Sequence, residues 1–139
     1  MFGVDVDPAV KQFNSDRITN QVGDIGDPRF LHLVCRTWPQ LDAIVDDASH
    51  INWHQIQAFE LLFPCLKPGG IYIVEDIDSS YKARPPFNGG LRAPQSFIEF
   101  AKVPPPPPQR LDRESVASRL ASPRRLLHSI LLHSHPVSP

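Results

Sequence analysis

The stretch LDAIVDDASHINWHQIQAFELLFPCLKPGGIYIVED, residues 41–76, limits most strongly how this chain can fold. Two short apolar runs, 41–46 and 71–75, flank a segment in which Ile51, Ile56, Phe59, Leu62, Phe63 and Leu66 recur at helical spacing. That recurrence predicts a helix over 51–66 with one apolar face. Lys67-Pro68-Gly69-Gly70 is expected to stop it, with glycine supplying the left-handed stop position. The flanking runs have the continuous apolar character of strands covered on both faces. Strand, helix and strand at this length make a right-handed βαβ unit, so 41–46 and 71–75 are expected to lie parallel and adjacent.

The residues before this unit extend the same alternation. FGVDVD is a short strand over 2–6, and Pro8 suits the first turn of a helix in PAVKQFN, where its missing N–H costs nothing. QVGDI reads as a second, weaker strand, followed by the turn GDP. Residues 1–102 are thus expected to form an α/β domain with a doubly wound parallel sheet. From Val103 onward the pattern breaks. Five of the 16 prolines form the run Pro104 to Pro108, which favours polyproline II. Residues 103–139 are expected to be a Pro-rich, mostly disordered tail, with RRLLHSILLH as a short helix confined by Pro123 and Pro136.

Composition narrows the function classes. Fourteen basic against 15 acidic side chains give a net charge of -1, which points to neither nucleic acid nor an anionic membrane as partner. The N-terminus lacks the basic and apolar regions of a signal peptide. No apolar run approaches the roughly 20 residues needed to span a bilayer. Cys35 and Cys65 are too far apart in sequence for a close metal-ligand or redox motif, so two reduced thiols in a cytoplasmic protein are the expectation.

The acidic residues carry the chemistry. Asp5, Asp24, Asp46-Asp47 and Glu75-Asp76 fall at or just after expected strand ends, and strand direction alone collects them along one rim of a parallel sheet. Ligands bind at that rim in open α/β sheets. Neighbouring strands run about 4.8 Å apart, so side chains from adjacent ends can share one cation. Without a cation such carboxylates repel; a hard ion such as Mg2+, which takes oxygen ligands, resolves the conflict. Singly, each acid has a plainer use, and Ser49 or Asp47 could serve as a helix N-cap. His50 and His54, one helical turn apart, resemble a zinc pair. A metalloprotease carries a Glu immediately after its first His, whereas Ile51 stands there, and no third ligand is evident.

GVDVDP, VGDIGDPRFL, the 41–76 stretch continuing into IDSSY, and SFIEFAK together resemble the metal-dependent sugar O-methyltransferases of macrolide and related antibiotic biosynthesis, the macrocin and mycinamicin type. The resemblance covers roughly residues 2–102. It implies a class I, Rossmann-like fold, S-adenosylmethionine and Mg2+ as cofactors, and a small-molecule hydroxyl acceptor, a sugar or glycoside. It further implies that Asp47, Glu75 and Asp76 hold the metal and that His50 is the general base for the acceptor hydroxyl. Asp5 would accept hydrogen bonds from the cofactor ribose, and Asp24 would lie near the adenine.

The chain also departs from that pattern. It holds no GxGxxG-like loop, and the family's first and last strands have no counterpart in it, which reads as a partial methyltransferase sheet and an incomplete fragment that is inactive alone. Two other readings stay open: a non-catalytic remnant that acts as a binding fragment, and a metal-dependent glycosyltransferase using DVD at 5–7 or DID at 76–78. The latter leaves DDASH and KPGG without a role.

Overall fold

A computed structural model describes residues 1–103 and 130–132. Strand β1 (Phe2–Asp5) pairs in parallel with β2 (Thr19–Val22), and a 3₁₀ turn at Pro8–Phe13 lies between them. Helix α1 (Pro28–Thr37) follows, then β3 (Leu41–Asp46), α2 (Asn52–Leu62) and β4 (Leu66–Val74). Beyond a 3₁₀ turn at Ile77–Tyr81 comes the short helix α3 (Phe97–Lys102). Strand β5 (Ile130–Leu132) pairs in parallel with β4, giving a second sheet in the order β3-β4-β5.

The βαβ unit forms as the apolar pattern requires. Leu41–Asp46 pairs in parallel with β4, in a register that sets Ile44 opposite Tyr72 and Asp46 opposite Val74. Two boundaries differ from expectation. Helix α2 ends at Leu62, and a 3₁₀ turn at Phe63–Cys65, with Pro64 inside it, closes that end. The Lys67-Pro68-Gly69-Gly70 segment therefore does not stop the helix; it lies within β4. There the register slips between Leu41 and Ala43, and Gly69 takes a φ of 83°, which glycine adopts without strain. Lys67 Nζ reaches back to Asp42 Oδ1 at 2.7 Å across this irregularity.

Alternation along the paired strands decides which face is covered. Ile44, Asp46, Tyr72 and Val74 share the face against α2, and the last three of these are buried. Ala43, Val45 and Ile71 share the opposite face and are exposed, so β3 and β4 are covered on one face only among the described residues. The core gathers Leu31 and Val34 from α1, Ala58, Phe59 and Leu62 from α2, Tyr72 and Val74 from β4, and Phe97 from α3. Phe59 is its centre, with ring centroids 4.8 Å from Phe63, 5.2 Å from Tyr72 and 5.9 Å from Phe100.

Two further features depart from the sequence reading. Cys35, near the end of α1, and Cys65, just past α2, form a disulfide with their Cα atoms 5.5 Å apart. Separation along the chain concealed a pair that the packing of α1 against α2 brings together, and the expectation of two reduced thiols gives way. The expected tail contributes Ile130–Leu132 as a strand, where the sequence reading placed part of a helix over 124–133; residues 104–129 and 133–139 lie outside the described ones. No helix among the described residues is long and apolar enough to cross a membrane.

Candidate metal centre

The strand ends of both sheets carry acidic residues, and side chains of α2 connect the loops that follow them. Asp5 closes β1 and accepts from the backbone N–H of Asp7 at 2.9 Å. Asp24 stands two residues past β2 and accepts from Gly26 N at 2.7 Å. The C-terminal end of β1 is tied to this loop, because Gly23 N donates to Asp5 O at 2.9 Å. His54, on the first turns of α2, connects the two sheets' loops. Its Nδ1 shares a 2.8 Å hydrogen bond with Ser49 Oγ, just past β3. Its ring also fills the space a Cβ on Gly26 would need, at 2.8 Å from Nε2, so the Asp24 loop passes directly over it. Gln57 Nε2 donates to the carbonyls of Ile25 and Gly26 at 3.4 and 3.3 Å and fastens the same loop to α2. Burial holds the His54 imidazole below its ordinary value, against the opposing pull of Asp24.

The paired aspartates at the end of β3 have opposite fates. Asp46 faces α2 and is only 4% exposed. Burial pushes its carboxyl up to about 6, although it accepts from the N–H of Ala48 and, at 3.5 Å, from the Tyr72 hydroxyl. The same burial, with Asp46 alongside, raises Tyr72 well above its ordinary value. Asp47, one residue on, is exposed at the rim. One Asp braces the strand end from within, and the next leaves its carboxylate open to solvent.

Asp47, His50 and Asp76 come together. One potential ligand atom of each lies within 4.8 Å of the others. His50 Nε2 stands 3.5 Å from Asp76 Oδ2, while its Nδ1 is buried without a hydrogen-bond partner. Both His50 and Asp76 hold positive φ angles, 55° and 49°, in the left-handed region that costs a non-glycine residue about 1–3 kcal/mol. The chain spends conformational energy at the two turns that bring these side chains toward each other.

Glu75 is not part of this group. Its backbone N–H donates to Asp46 O at 2.9 Å and its carbonyl accepts from Gln55 Nε2 at 3.1 Å, which fixes the end of β4 against β3 and α2. Two carboxylates and an imidazole remain. The two carboxylates fit a hard divalent ion, which takes carboxylate oxygens and completes its shell with waters or substrate oxygens. Residues that the periodicity did not single out also shape the site: Ser49, which holds His54, and Asn52 and Gln55, polar side chains buried on the face of α2 where apolar ones were expected.

No family model matches the chain. Among characterised proteins it is 37% identical over 81 residues to demethylmacrocin O-methyltransferase of Streptomyces fradiae, a match covering 58% of this chain and 20% of that protein. It is 40% identical over 79 residues to mycinamicin VI 2''-O-methyltransferase of Micromonospora griseorubida, covering 57% and 19%. With L-olivosyl-oleandolide 3-O-methyltransferase of Streptomyces antibioticus it shares 38% identity over 110 residues, covering 74% and 26%. The chain therefore spans about a fifth to a quarter of the length of these relatives. Among solved structures it resembles MycE methyltransferase from the mycinamycin biosynthetic pathway in complex with Mg, SAH and mycinamycin VI. That match has a TM-score of 0.67 and 32% identity and covers 73% of this chain and 26% of the other. A second crystal form of MycE, with Mg and SAH, matches with a TM-score of 0.67 at 28% identity, covering 81% and 31%. The fold is that of part of a class I methyltransferase, and the chain is homologous to one stretch of the sugar O-methyltransferases.

Proposed function

We propose that this homologue of the sugar O-methyltransferases carries the metal centre and part of the cofactor rim of an enzyme that methylates a hydroxyl of a sugar or natural-product glycoside. The observation that carries the reading is the convergence of Asp47, His50 and Asp76 at the strand ends. When bound, S-adenosylmethionine would supply the methyl group, and Mg2+ the positive charge that eases loss of the acceptor's proton. Asp47 and Asp76 would hold the ion. Glu75 is a third candidate ligand, and its carboxylate would have to turn toward the group to join them.

His50 is the base in this reading. An imidazole takes up and releases protons near neutral pH, and Mg2+ prefers oxygen donors to nitrogen, so the ring is better used on the acceptor than on the ion. Its Nε2, on the Asp76 side, would take the hydroxyl proton, and the neighbouring carboxylate would stabilise the imidazolium that results. Asp5 would accept hydrogen bonds from the cofactor ribose and Asp24 would lie by the adenine; both stand at the ends of the first sheet. The balance of the chemistry is positioning. A small glycoside, with neither nucleic acid nor membrane as partner, suits the near-neutral charge.

Isothermal titration of the 139-residue protein with Mg2+ tests the centre. The parent is expected to bind and Asp47→Asn to lose binding. Absence of any Mg2+ heat in the parent, or equal affinity in Asp47→Asn, would overturn the metal reading.

A further inference from the structure

Asn52 opens helix α2, two residues past His50, and is 1% exposed. A buried side-chain amide offers two N–H donors and a carbonyl oxygen with two lone pairs. Here all four are used. Nδ2 donates to Ser79 O at 3.2 Å and to Phe87 O at 2.9 Å. Oδ1 accepts from Ser80 Oγ at 2.9 Å and from Phe97 N at 2.8 Å. Ser79 and Ser80 belong to the 3₁₀ turn that begins immediately after Asp76. One side chain therefore joins the turn that presents His50 to the turn that presents Asp76. Both residues sit in strained left-handed backbone, which persists only where the surroundings over-determine it. Gln55, one helical turn on, donates to Glu75 O and anchors the end of β4 on the near side of Asp76.

We infer that Asn52 is a positioning residue whose fully bonded amide sets the separation of His50 and Asp76, and with it the geometry of the metal-binding group. This rests on reading Asp47 and Asp76 as ligands of a metal centre with His50 beside them as the base. Asn52 touches none of the reacting atoms itself; it acts through the two turns. The amide also explains why a polar residue is kept at a fully buried helix position. An apolar side chain of like size would leave the Phe87 carbonyl and the Phe97 N–H without partners, and would take one of two bonds from Ser79 O and from Ser80 Oγ.

The near-isosteric Asn52→Asp variant of the 139-residue protein is the test, because it turns the two donors into an oxygen facing the carbonyls of Ser79 and Phe87. Mn2+ binding followed by electron paramagnetic resonance should weaken by about 10–100-fold, the cost typical of removing a group that orients metal ligands. A second readout needs no metal. The His50 ring resonance in NMR should respond to Asp76→Asn in the parent and lose that response when Asn52→Asp is also present. A folded Asn52→Asp protein with Mn2+ affinity equal to the parent's and an intact His50 response overturns the inference. If the parent binds no Mn2+, the metal reading fails, and the His50 response to Asp76→Asn still decides whether Asn52 positions the pair. Should Asn52→Asp fail to fold, Ser80→Ala takes its place, since it removes one of the four bonds. Ser80→Ala should shift the His50 resonance and lower Mn2+ affinity, and the inference falls if both stay unchanged.

Discussion

His54 shows how one side chain can join two loops and set a pH dependence. It meets Ser49 on one side and the Asp24–Gly26 loop on the other, and burial holds its imidazole below the ordinary value of 6.5. The sign follows directly: the unfolded chain takes up the proton at a higher pH than the folded one does. The stability gained by keeping His54 neutral is therefore present above about pH 6.5 and is lost as pH falls through that value toward the lower folded one. Thermal melts from pH 7.5 down to 5.5 should show the parent losing more stability than His54→Gln, which cannot ionise. Parallel melting curves for the two proteins would mean that His54 is solvated like an ordinary surface histidine. Asp47 belongs to the same scale with the opposite expectation. It is exposed and braces no packed group, so Asp47→Asn should remove Mg2+ binding while leaving the melting temperature nearly unchanged.

At the scale of elements, α2 organises the core and its ends organise the site. Phe59 touches four other aromatic rings, and Phe59→Ala should cost about 3–5 kcal/mol in urea unfolding, since the cavity it leaves is walled by helices and a strand that cannot all collapse inward. The Cys35–Cys65 disulfide ties α1 to the turn after α2 and closes a loop of about 30 residues. A chain-entropy account puts its contribution at about 3–4 kcal/mol, so added dithiothreitol should lower stability by that order, and no loss on reduction would contradict it. Much of this was legible in the sequence. Strand direction collected the acidic rim, and helical spacing found α2. What stayed hidden has physical causes. Helix α1 carried a cap signal in Asp27-Pro28, where the Asp27 carboxylate accepts from Arg29 N at 2.9 Å, yet only two of its residues are fully buried. The turn signal outweighed so narrow a stripe. Asn52 and Gln55 look like solvent-facing residues to any count of apolar periodicity, because their burial is sustained by hydrogen bonds between distant segments. Which carboxylates converge depends on side-chain direction past the strand ends, where the period of two no longer applies; Asp76 turns inward in left-handed backbone and Glu75 does not join it.

At the scale of the whole molecule, the sheet is divided. Strands β1 and β2 form one parallel pair, and β3, β4 and β5 form another sheet. Strand β1 does not pair with β3, so each of those strands keeps one side without a ladder partner among the described residues. The face of β3 and β4 turned away from α2 is apolar as well, with Val45 56% and Ile71 47% exposed. Open edges beside an apolar face are the usual template for strand pairing between molecules. The protein should therefore aggregate in a concentration-dependent way at moderate temperature, and light scattering should detect this before unfolding does. Val45→Lys places a charge on that face at a position whose side chain meets solvent, and so should slow the scattering increase several-fold. Its effect on folding stability should stay within about 0.5 kcal/mol, as for other surface substitutions. A buried alternative makes the contrast. Val74→Lys, on the face packed against α2, should unfold the protein and speed aggregation, since it buries an unpaired charge. If Val45→Lys were instead as destabilising as Val74→Lys, the face opposite α2 would have to be covered in solution, and the sheet would be two-sided after all.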